Sequence, residues 1–199
     1  MAEPLVYQYR LRTEKGAWLA DVILRSDGFF ATVSDWGNYA FRWTAPGREF
    51  RAFVVQLAGQ GDYVCSKLET RDWWDGARTL KRIREHILTY RRDGTYSKEK
   101  AAEAWQSLAD ALGCWSGRDA KDCDEIGIDQ FAVWCHDTEL EMPYEFASYD
   151  YPPDVRGFCE NVMPALATAI REELLAAAQA LALQHEREAW ESEGGAVHG

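Results

Sequence analysis

The spacing of apolar residues changes along this chain, and that change constrains the fold more than any other feature of the sequence. Between residues 5 and 44, apolar side chains recur at every second position, the period of a strand with one face against a core. Two turn dipeptides, Asp27-Gly28 and Gly37-Asn38, separate apolar runs, and glycine and asparagine tolerate the positive φ of tight hairpin turns. We therefore predict a four-stranded antiparallel meander.

Helical spacing replaces this alternation after residue 45, because apolar residues then recur at intervals of three and four. The predicted helices lie at residues 50–57, 75–92, 97–112, around 131–134 and from 154 to 191. Ser97 is a predicted N-cap, and Asp122 with Glu125 resembles a reciprocal cap for the short helix. Pro164 is expected to kink the last helix because it removes a backbone hydrogen bond. Residues 63–68 are expected to add a short strand.

A sheet followed by helices is typical of the α+β class, with the helices on one face of the meander. Hydrophobic residues make up 47% of the chain and aromatic residues 13%, which excludes a wholly disordered chain. We expect one domain over residues 1–191, sheet-rich to residue 70 and helical from residue 71. A disordered tail is expected at residues 192–199.

Charge is segregated along the sequence. Residues 119–160 carry twelve Asp and Glu against Lys121 and Arg156, a net of −10 out of −11 for the whole chain. Residues 71–100 carry nine Lys and Arg against five acids, a net of +4. Because Lys and Arg supply most non-specific affinity for nucleic acids, this balance argues against direct nucleic-acid binding.

The acidic segment has two interpretations. Asp137, Glu139 and Glu141 alternate with other residues, which places them on one side of an extended segment, where they can imitate the phosphates of a nucleic acid and bind a basic groove on a partner protein. The residues predicted to bind that partner are Asp137, Glu139, Glu141, Glu145, Asp150, Tyr144 and Tyr149. Alternatively, the segment packs beside the basic helix at residues 78–92 and forms an ordinary solvated surface.

The aromatic residues also have two interpretations. A slot for a stacked nucleotide or signal molecule would use Trp36, Tyr39, Trp43, Arg42, Trp73 and Trp74. Large aromatic side chains also dominate the packing of protein cores, which is the other role for this set. Trp73 and Trp74 cannot both face inward on one regular element, so we expect one of them to be exposed or in an interface.

Catalytic motifs are absent from the sequence, which contains no G-x-S-x-G, phosphate loop, dinucleotide glycine fingerprint or H-E-x-x-H. Possible zinc ligands exist, but their spacing is irregular: Cys114, Cys123, Cys135, His136 and Cys159. We therefore expect no catalytic residues, no metal and no cofactor, with a small enzyme as the alternative. An odd set of five cysteines is typical of reduced thiols in a cytoplasm, and no apolar run is long enough to span a membrane.

Several short strings resemble a group of uncharacterised accessory proteins encoded by bacteriophages and prophages. They are Ala20-Asp21-Val22, Asp27-Gly28-Phe29-Phe30, Val33-Ser34-Asp35-Trp36-Gly37-Asn38-Tyr39-Ala40-Phe41 and Tyr149-Asp150-Tyr151-Pro152-Pro153. The resemblance covers roughly the first 100 residues and the tyrosine-proline segment, and it carries no known activity. It implies a small phage protein that acts in the cytoplasm of the bacterial host. Residues 115–141 show no such resemblance.

These observations together predict a non-catalytic phage protein that binds a host protein with a basic groove. The expected partner handles nucleic acid or belongs to host defence, so the protein would act as a nucleic-acid mimic of the anti-CRISPR type. The long terminal helix is a second candidate interface, where one copy would pair with another.

Overall fold

The computed structural model describes residues 3–116 and 123–194. These residues group into two compact units. The sheet unit consists of Met1–Thr70 together with Tyr151–Gly199, and the helical unit consists of Arg71–Asp150. The expectation of a single domain stays a prediction.

The sheet has four antiparallel strands in sequential order. They are β1 (Val6–Arg12), β2 (Trp18–Arg25), β3 (Phe29–Ser34) and β4 (Gly37–Arg42). The predicted meander is therefore confirmed. Gly28, in the turn between β2 and β3, has a φ of +91°, and a Cβ built on it would lie 1.9 Å from the carbonyl oxygen of Trp43. Only glycine fits at this turn.

Two short helices follow the sheet, α1 (Phe50–Leu57) and α2 (Gly61–Leu68). The helix predicted at residues 50–57 is confirmed, and Glu49 caps it by accepting a hydrogen bond from the Ala52 N–H at 2.9 Å. The strand predicted at residues 63–68 is wrong, because these residues form most of α2. Its buried Cys65 packs against Cys159, and a contact over this sequence distance outweighs local strand propensity.

Aromatic side chains form the centre of the sheet unit. Phe30 meets Trp43 and Phe158 edge-on, with ring centroids 6.0 and 6.2 Å apart, and Trp43 also lies against Phe50. All four rings are buried. Edge-to-face pairs of this kind stabilise a core beyond the effect of area burial alone.

The C-terminal segment is helical over its whole described length. It consists of α6 (Pro153–Gly157), a π-helical turn (Phe158–Val162) and α7 (Met163–Gly194). The interruption expected near Pro164 is this π turn, in which the Met163 N–H donates to the Phe158 carbonyl oxygen. Pro164 lies inside this continuous helical segment, directly after the π turn, and it lacks the N–H that would donate to a carbonyl oxygen of the preceding turn. Of the predicted disordered tail, residues 192–194 are helical and residues 195–199 lie outside the described residues.

The helical unit begins and ends on paired strands. Its elements are β5 (Trp73–Trp74), α3 (Gly76–Arg92), α4 (Lys98–Ser116), α5 (Ile128–Asp137), a 3-10 helix (Pro143–Phe146) and β6 (Tyr149–Asp150). β5 and β6 are antiparallel, with Trp73 opposite Asp150. The largest buried side chains are Leu80, Ile83, Ile87, Leu108, Leu112, Ile126 and Trp134.

The helix caps of this unit agree only in part with the sequence analysis. The predicted N-cap Ser97 is confirmed, since its Oγ accepts from the Lys100 N–H at 3.1 Å. The cap predicted for α5 is wrong: the helix begins after Gly127, whose N–H donates to Gln130 Oε1 at 2.8 Å. Asp122 lies outside the described residues.

The α+β class is confirmed, because a four-stranded antiparallel sheet precedes the helices. Among the described residues, no helix is both long and apolar enough to cross a membrane.

Candidate functional site

Exposed carboxylates occur on α4, on α5 and on the segment after α5, and others lie on α3 and in the loops of the helical unit. Gln130 fixes α5 against α4, because its Nε2 donates to the carbonyl oxygen of Leu112 at 3.1 Å while its Oε1 caps α5. Beneath this surface, Phe131 and Trp134 of α5 are buried. The two helices are thus held rigidly under the acidic side chains.

Four of the predicted acidic residues are exposed, namely Asp137, Glu139, Glu141 and Glu145. Asp137 accepts a hydrogen bond from His136 Nδ1 at 2.8 Å. Within residues 3–116 and 123–194, none of the three glutamates forms an ion pair. Asp150 is half-buried on β6. We call the four exposed residues the acidic face.

Two adjacent grooves extend this face onto α4. One has a volume of about 190 Å³, and its lining includes Lys100 as well as Glu103, Ser107, Asp137 and Glu139. The other has the same volume, shares Ser107 and Asp137, and adds Asp110. The Ser107 hydroxyl is buried, and it has no hydrogen-bond partner in the part of the chain that the structure describes.

Glu103 and Asp110 were missed by the sequence analysis. Both residues belong to α4 and lie just beyond the basic stretch of residues 71–100. One signal was present: between Lys100 and residue 117, the charged residues are all acidic. Their proximity to Asp137 depends on the packing of α4 against α5, which the sequence does not report.

A larger cleft of about 590 Å³ adjoins the remaining two glutamates. Its lining consists of Arg82, His86, Tyr90, Thr95, Tyr96, Lys100, Glu141, Met142, Glu145 and Phe146. The rings of Tyr90 and Tyr96 stack with centroids 5.1 Å apart. His86 Nε2 lies 2.9 Å from the Tyr96 hydroxyl. Burial lowers the pKa of His86 and raises that of Tyr96, so both groups are neutral near pH 7.

The two cations of this cleft have contacts of their own. Arg82 donates to the carbonyl oxygens of Phe146 and Ala147 at 3.2 and 3.0 Å. Lys100 Nζ lies 4.8 Å from the centre of the Tyr96 ring, a cation–π contact. Neither side chain is paired with Glu141 or Glu145.

Exposed apolar side chains accompany the acidic face. Tyr144 is 67% exposed and Met142 is 66% exposed. Met142 also has a φ of 52°, a backbone conformation that non-glycine residues rarely adopt. Tyr149 is less exposed, and its ring packs edge-on against Trp74. Tyr144 and Met142 are therefore the apolar groups that a docking protein would meet.

The residues of the predicted aromatic slot are divided between the two units. Tyr39 and Trp43 are buried in the sheet unit, and Trp36 is half-buried there. Arg42 pairs with Asp27 at 2.9 Å. These side chains serve the packing of the sheet unit.

The two remaining tryptophans of that set belong to the helical unit. Trp73 is 54% exposed, whereas Trp74 is half-buried and donates to the Ile126 carbonyl oxygen at 2.8 Å. The expectation that one of the pair is exposed is confirmed.

The described cysteines are divided between the two units. Cys65 and Cys159 are buried together in the sheet unit, and Cys135 is buried in the helical unit. Burial raises the pKa of Cys135 to about 11. No cluster of three His, Cys, Asp or Glu side chains suited to a metal occurs among the residues described, and the side chain of Cys114 lies outside them.

The fold and this face define the class of the protein: an α+β protein whose helical unit presents grouped, exposed carboxylates. The chain belongs to the Phage family, whose model matches residues 1–172. The protein is therefore phage-encoded. The match spans residues 115–141, where the sequence showed no resemblance. No curated protein and no solved structure matches the chain.

Proposed function

We propose that this phage protein binds a host protein through its acidic face and thereby inhibits or modulates a function that depends on nucleic acid. The observation that carries the proposal is the set of Glu139, Glu141 and Glu145, which are exposed and lack an ion-pair partner in the described part of the chain. Like charges held close together repel one another, and a cationic partner relieves that repulsion.

The acidic face is complementary in charge to a basic groove. The grooves between α4 and α5 add Glu103 and Asp110 to the predicted residues, so carboxylates from two helices surround Asp137. Their arrangement on a helix-supported surface limits the entropy lost when a partner binds. Complementary charge speeds the encounter and selects the partner.

Apolar contacts supply the rest of the interface. Tyr144 and Met142 are exposed within the segment that carries Glu141 and Glu145. Amphipathic aromatic side chains and methionine are enriched in protein interfaces, while charges at the rim mainly set the association rate. A protein that binds nucleic acid is the partner class favoured here, because its groove is already cationic.

The proposal is tested with a variant that neutralises the acidic face: Asp137→Asn, Glu139→Gln, Glu141→Gln and Glu145→Gln. A matched control neutralises four exposed acids of the sheet unit, Glu3→Gln, Glu14→Gln, Asp35→Asn and Glu69→Gln. Both variants change the net charge from −11 by the same amount. Each tagged protein is used to capture proteins from host lysate at low and high salt, followed by quantitative mass spectrometry.

We expect a basic host protein to be captured by the parent chain and the control, and to be lost with the acidic-face variant and at high salt. The purified partner should also bind duplex DNA less tightly in the presence of the parent chain. Equal capture by the parent and the acidic-face variant would contradict the proposal.

A further inference from the structure

The large cleft of the helical unit already holds a cation against its aromatic wall. Lys100 Nζ lies 4.8 Å from the centre of the Tyr96 ring, and Tyr96 is only 8% exposed. Within residues 3–116 and 123–194, no carboxylate forms an ion pair with this ammonium group. Lys100 is exposed, so its long side chain can leave the ring without disturbing the core.

Lys100 lies between two groups of carboxylates. It lines the groove that contains Glu103, Asp137 and Glu139, and it also lines the cleft that contains Glu141 and Glu145. The other cation in these linings is the arginine at position 82, which is engaged with backbone carbonyl oxygens. Five carboxylates thus surround two cations, and this surplus of negative charge attracts a further cation.

The carboxylates of the cleft are held in place by the backbone that carries them. Met142 has a φ of 52°, and its carbonyl oxygen accepts a hydrogen bond from the Glu145 N–H at 3.0 Å. This turn places Glu141 and Glu145 along the same cleft. Arg82 of α3 holds the end of the turn by donating to the carbonyl oxygen of Phe146 at 3.2 Å. A wall fixed in this way loses little entropy when a ligand binds.

Aromatic rings and carboxylates together favour a guanidinium group over an ammonium group. A guanidinium is planar, so it stacks on aromatic rings and also donates two parallel hydrogen bonds to one carboxylate. Tyr90 stacks on Tyr96, and His86 packs beside both rings. Burial raises the pKa of Tyr96 and the charge of Glu141 adds to this effect, so that carboxylate acts on the ring. The cleft volume of about 590 Å³ is ample for one long side chain.

We propose that this cleft accepts an arginine side chain of the partner protein and that Lys100 occupies its position in the free protein. The inference rests on the proposed function, because it names the group through which the basic partner is recognised. When the partner docks, its guanidinium binds between the tyrosine rings and the carboxylates of Glu141 and Glu145, and Lys100 turns toward the groove. Lys100 is then an internal competitor that excludes weakly basic proteins.

The arginine preference is tested with two capped peptides of equal charge, hexa-arginine and hexalysine. The measured quantity is the ratio of the hexalysine Kd to the hexa-arginine Kd, obtained by isothermal titration calorimetry. Glu141→Gln with Glu145→Gln removes the carboxylates of the cleft, and Asp137→Asn with Glu139→Gln is the control pair in the groove.

The cleft pair should lower this ratio about threefold, whereas the groove pair should weaken both peptides and leave the ratio near the parent value. An equal effect of the two pairs on the ratio would overturn the proposal. Equal Kd values for the two peptides in the parent, or no measurable binding of either, would also overturn it.

The role of Lys100 is tested by comparing Lys100→Ala with Lys98→Ala. Both lysines are exposed on α4, and Lys98 does not line the cleft. Lys100→Ala should strengthen hexa-arginine binding about fivefold, because it vacates the ring and removes a nearby like charge. Lys98→Ala should strengthen it less than about twofold, since its charge is screened by solvent. Equal gains would show that Lys100 does not occupy the site.

Failure of the proposed function gives a different result. The variant that neutralises all four residues of the acidic face would then bind hexa-arginine as tightly as the sheet-unit control variant. If that variant loses binding but the cleft pair and Lys100→Ala behave like their controls, docking through charge stands and the arginine pocket is wrong. Far-UV circular dichroism checks that each variant keeps its helix content.

Discussion

The Cα atom of Gly157 lies directly against the indole ring of Trp36, so closely that a Cβ built on Gly157 would stand 2.0 Å from Trp36 Cε3. Gly157 has ordinary helical dihedral angles, φ −59° and ψ −38°, so the backbone itself does not require glycine. Glycine is required here because it has no side chain, and this lets α6 approach the turn between β3 and β4.

Gly157→Ala should therefore destabilise the sheet unit by about 3 kcal/mol, because the ring and the helix must separate to admit one methyl group. Gly113→Ala is the matched control, since a Cβ at this exposed position in α4 meets nothing within 4 Å. The control should stabilise the protein by up to about 1 kcal/mol through helix propensity. Urea unfolding monitored by tryptophan fluorescence measures both effects. If Gly157→Ala left the free energy of unfolding unchanged, the close contact between Gly157 and Trp36 would not require glycine.

Neutralising the acidic face should leave the fold intact. The side chains of Asp137, Glu139, Glu141 and Glu145 are exposed, and surface substitutions of this kind usually change stability by less than about 0.5 kcal/mol each. Removal of like charges should raise the melting temperature slightly at low salt, and the gain should shrink as salt screens the repulsion. Differential scanning calorimetry at two salt concentrations measures this. A large loss of stability would assign these carboxylates a structural role.

The buried thiols should be unreactive in the native protein. Cys65 and Cys159 lie with their sulfur atoms 3.2 Å apart in the core of the sheet unit, and burial raises the pKa of Cys159 well above its usual range. The reactive thiolate is therefore scarce near neutral pH. Iodoacetamide labelling with peptide mass spectrometry should modify the half-buried Cys123 before the buried Cys65, Cys135 and Cys159, and Cys159 only after denaturation. Equal labelling rates would contradict the buried placement.

His86 should make the helical unit less stable in mild acid. Its ring packs against Tyr90 and Phe146, and burial lowers its pKa from 6.5. The unfolded chain then binds a proton at a higher pH than the folded chain, so the contribution of neutral His86 is present above pH 6.5 and is lost as pH falls through the folded pKa. NMR titration of the imidazole should give a midpoint below 6.5, and a midpoint at or above this value would contradict the prediction.

The same linkage can be measured through unfolding. Between pH 7 and pH 5 the parent chain should lose more stability than His86→Phe, which cannot take up the proton. Because nearby carboxylates titrate in both proteins, only the difference between the two losses reports on His86.

The sheet was predicted well because the sequence signals that specify it lie within the strands and the turns between them. Alternation and turn dipeptides act within each strand pair, so β1 to β4 could be located without knowledge of the rest of the chain. The helix α2 could not, because the packing of Cys65 against Cys159 joins residues far apart in sequence. A long-range contact also explains why the predicted cap of α5 was wrong. Gln130 accepts a hydrogen bond from the Gly127 N–H at the start of α5 and donates one to the carbonyl oxygen of Leu112 in α4.

The sequence predicted the acidic residues of the candidate site but not the packing that forms its grooves and its cleft. Counting carboxylates identified Asp137 to Glu145, since exposure is the normal state of acidic side chains. Placing Glu103 and Asp110 in the site required the packing of α4 beside α5, and the cleft around His86 required both Tyr96 and Phe146 to pack against that ring. The aromatic residues show the same limit, because a sequence contains tryptophan and tyrosine alike whether they line a cavity or fill a core, and Tyr39 and Trp43 lie in the core.

The pairing of β5 with β6 holds the entry and exit points of residues 71–150 side by side, with Trp73 opposite Asp150. Because the chain enters and leaves this unit at neighbouring points, residues 71–150 have the geometry of an inserted domain, the arrangement in which insertions into a fold are well tolerated.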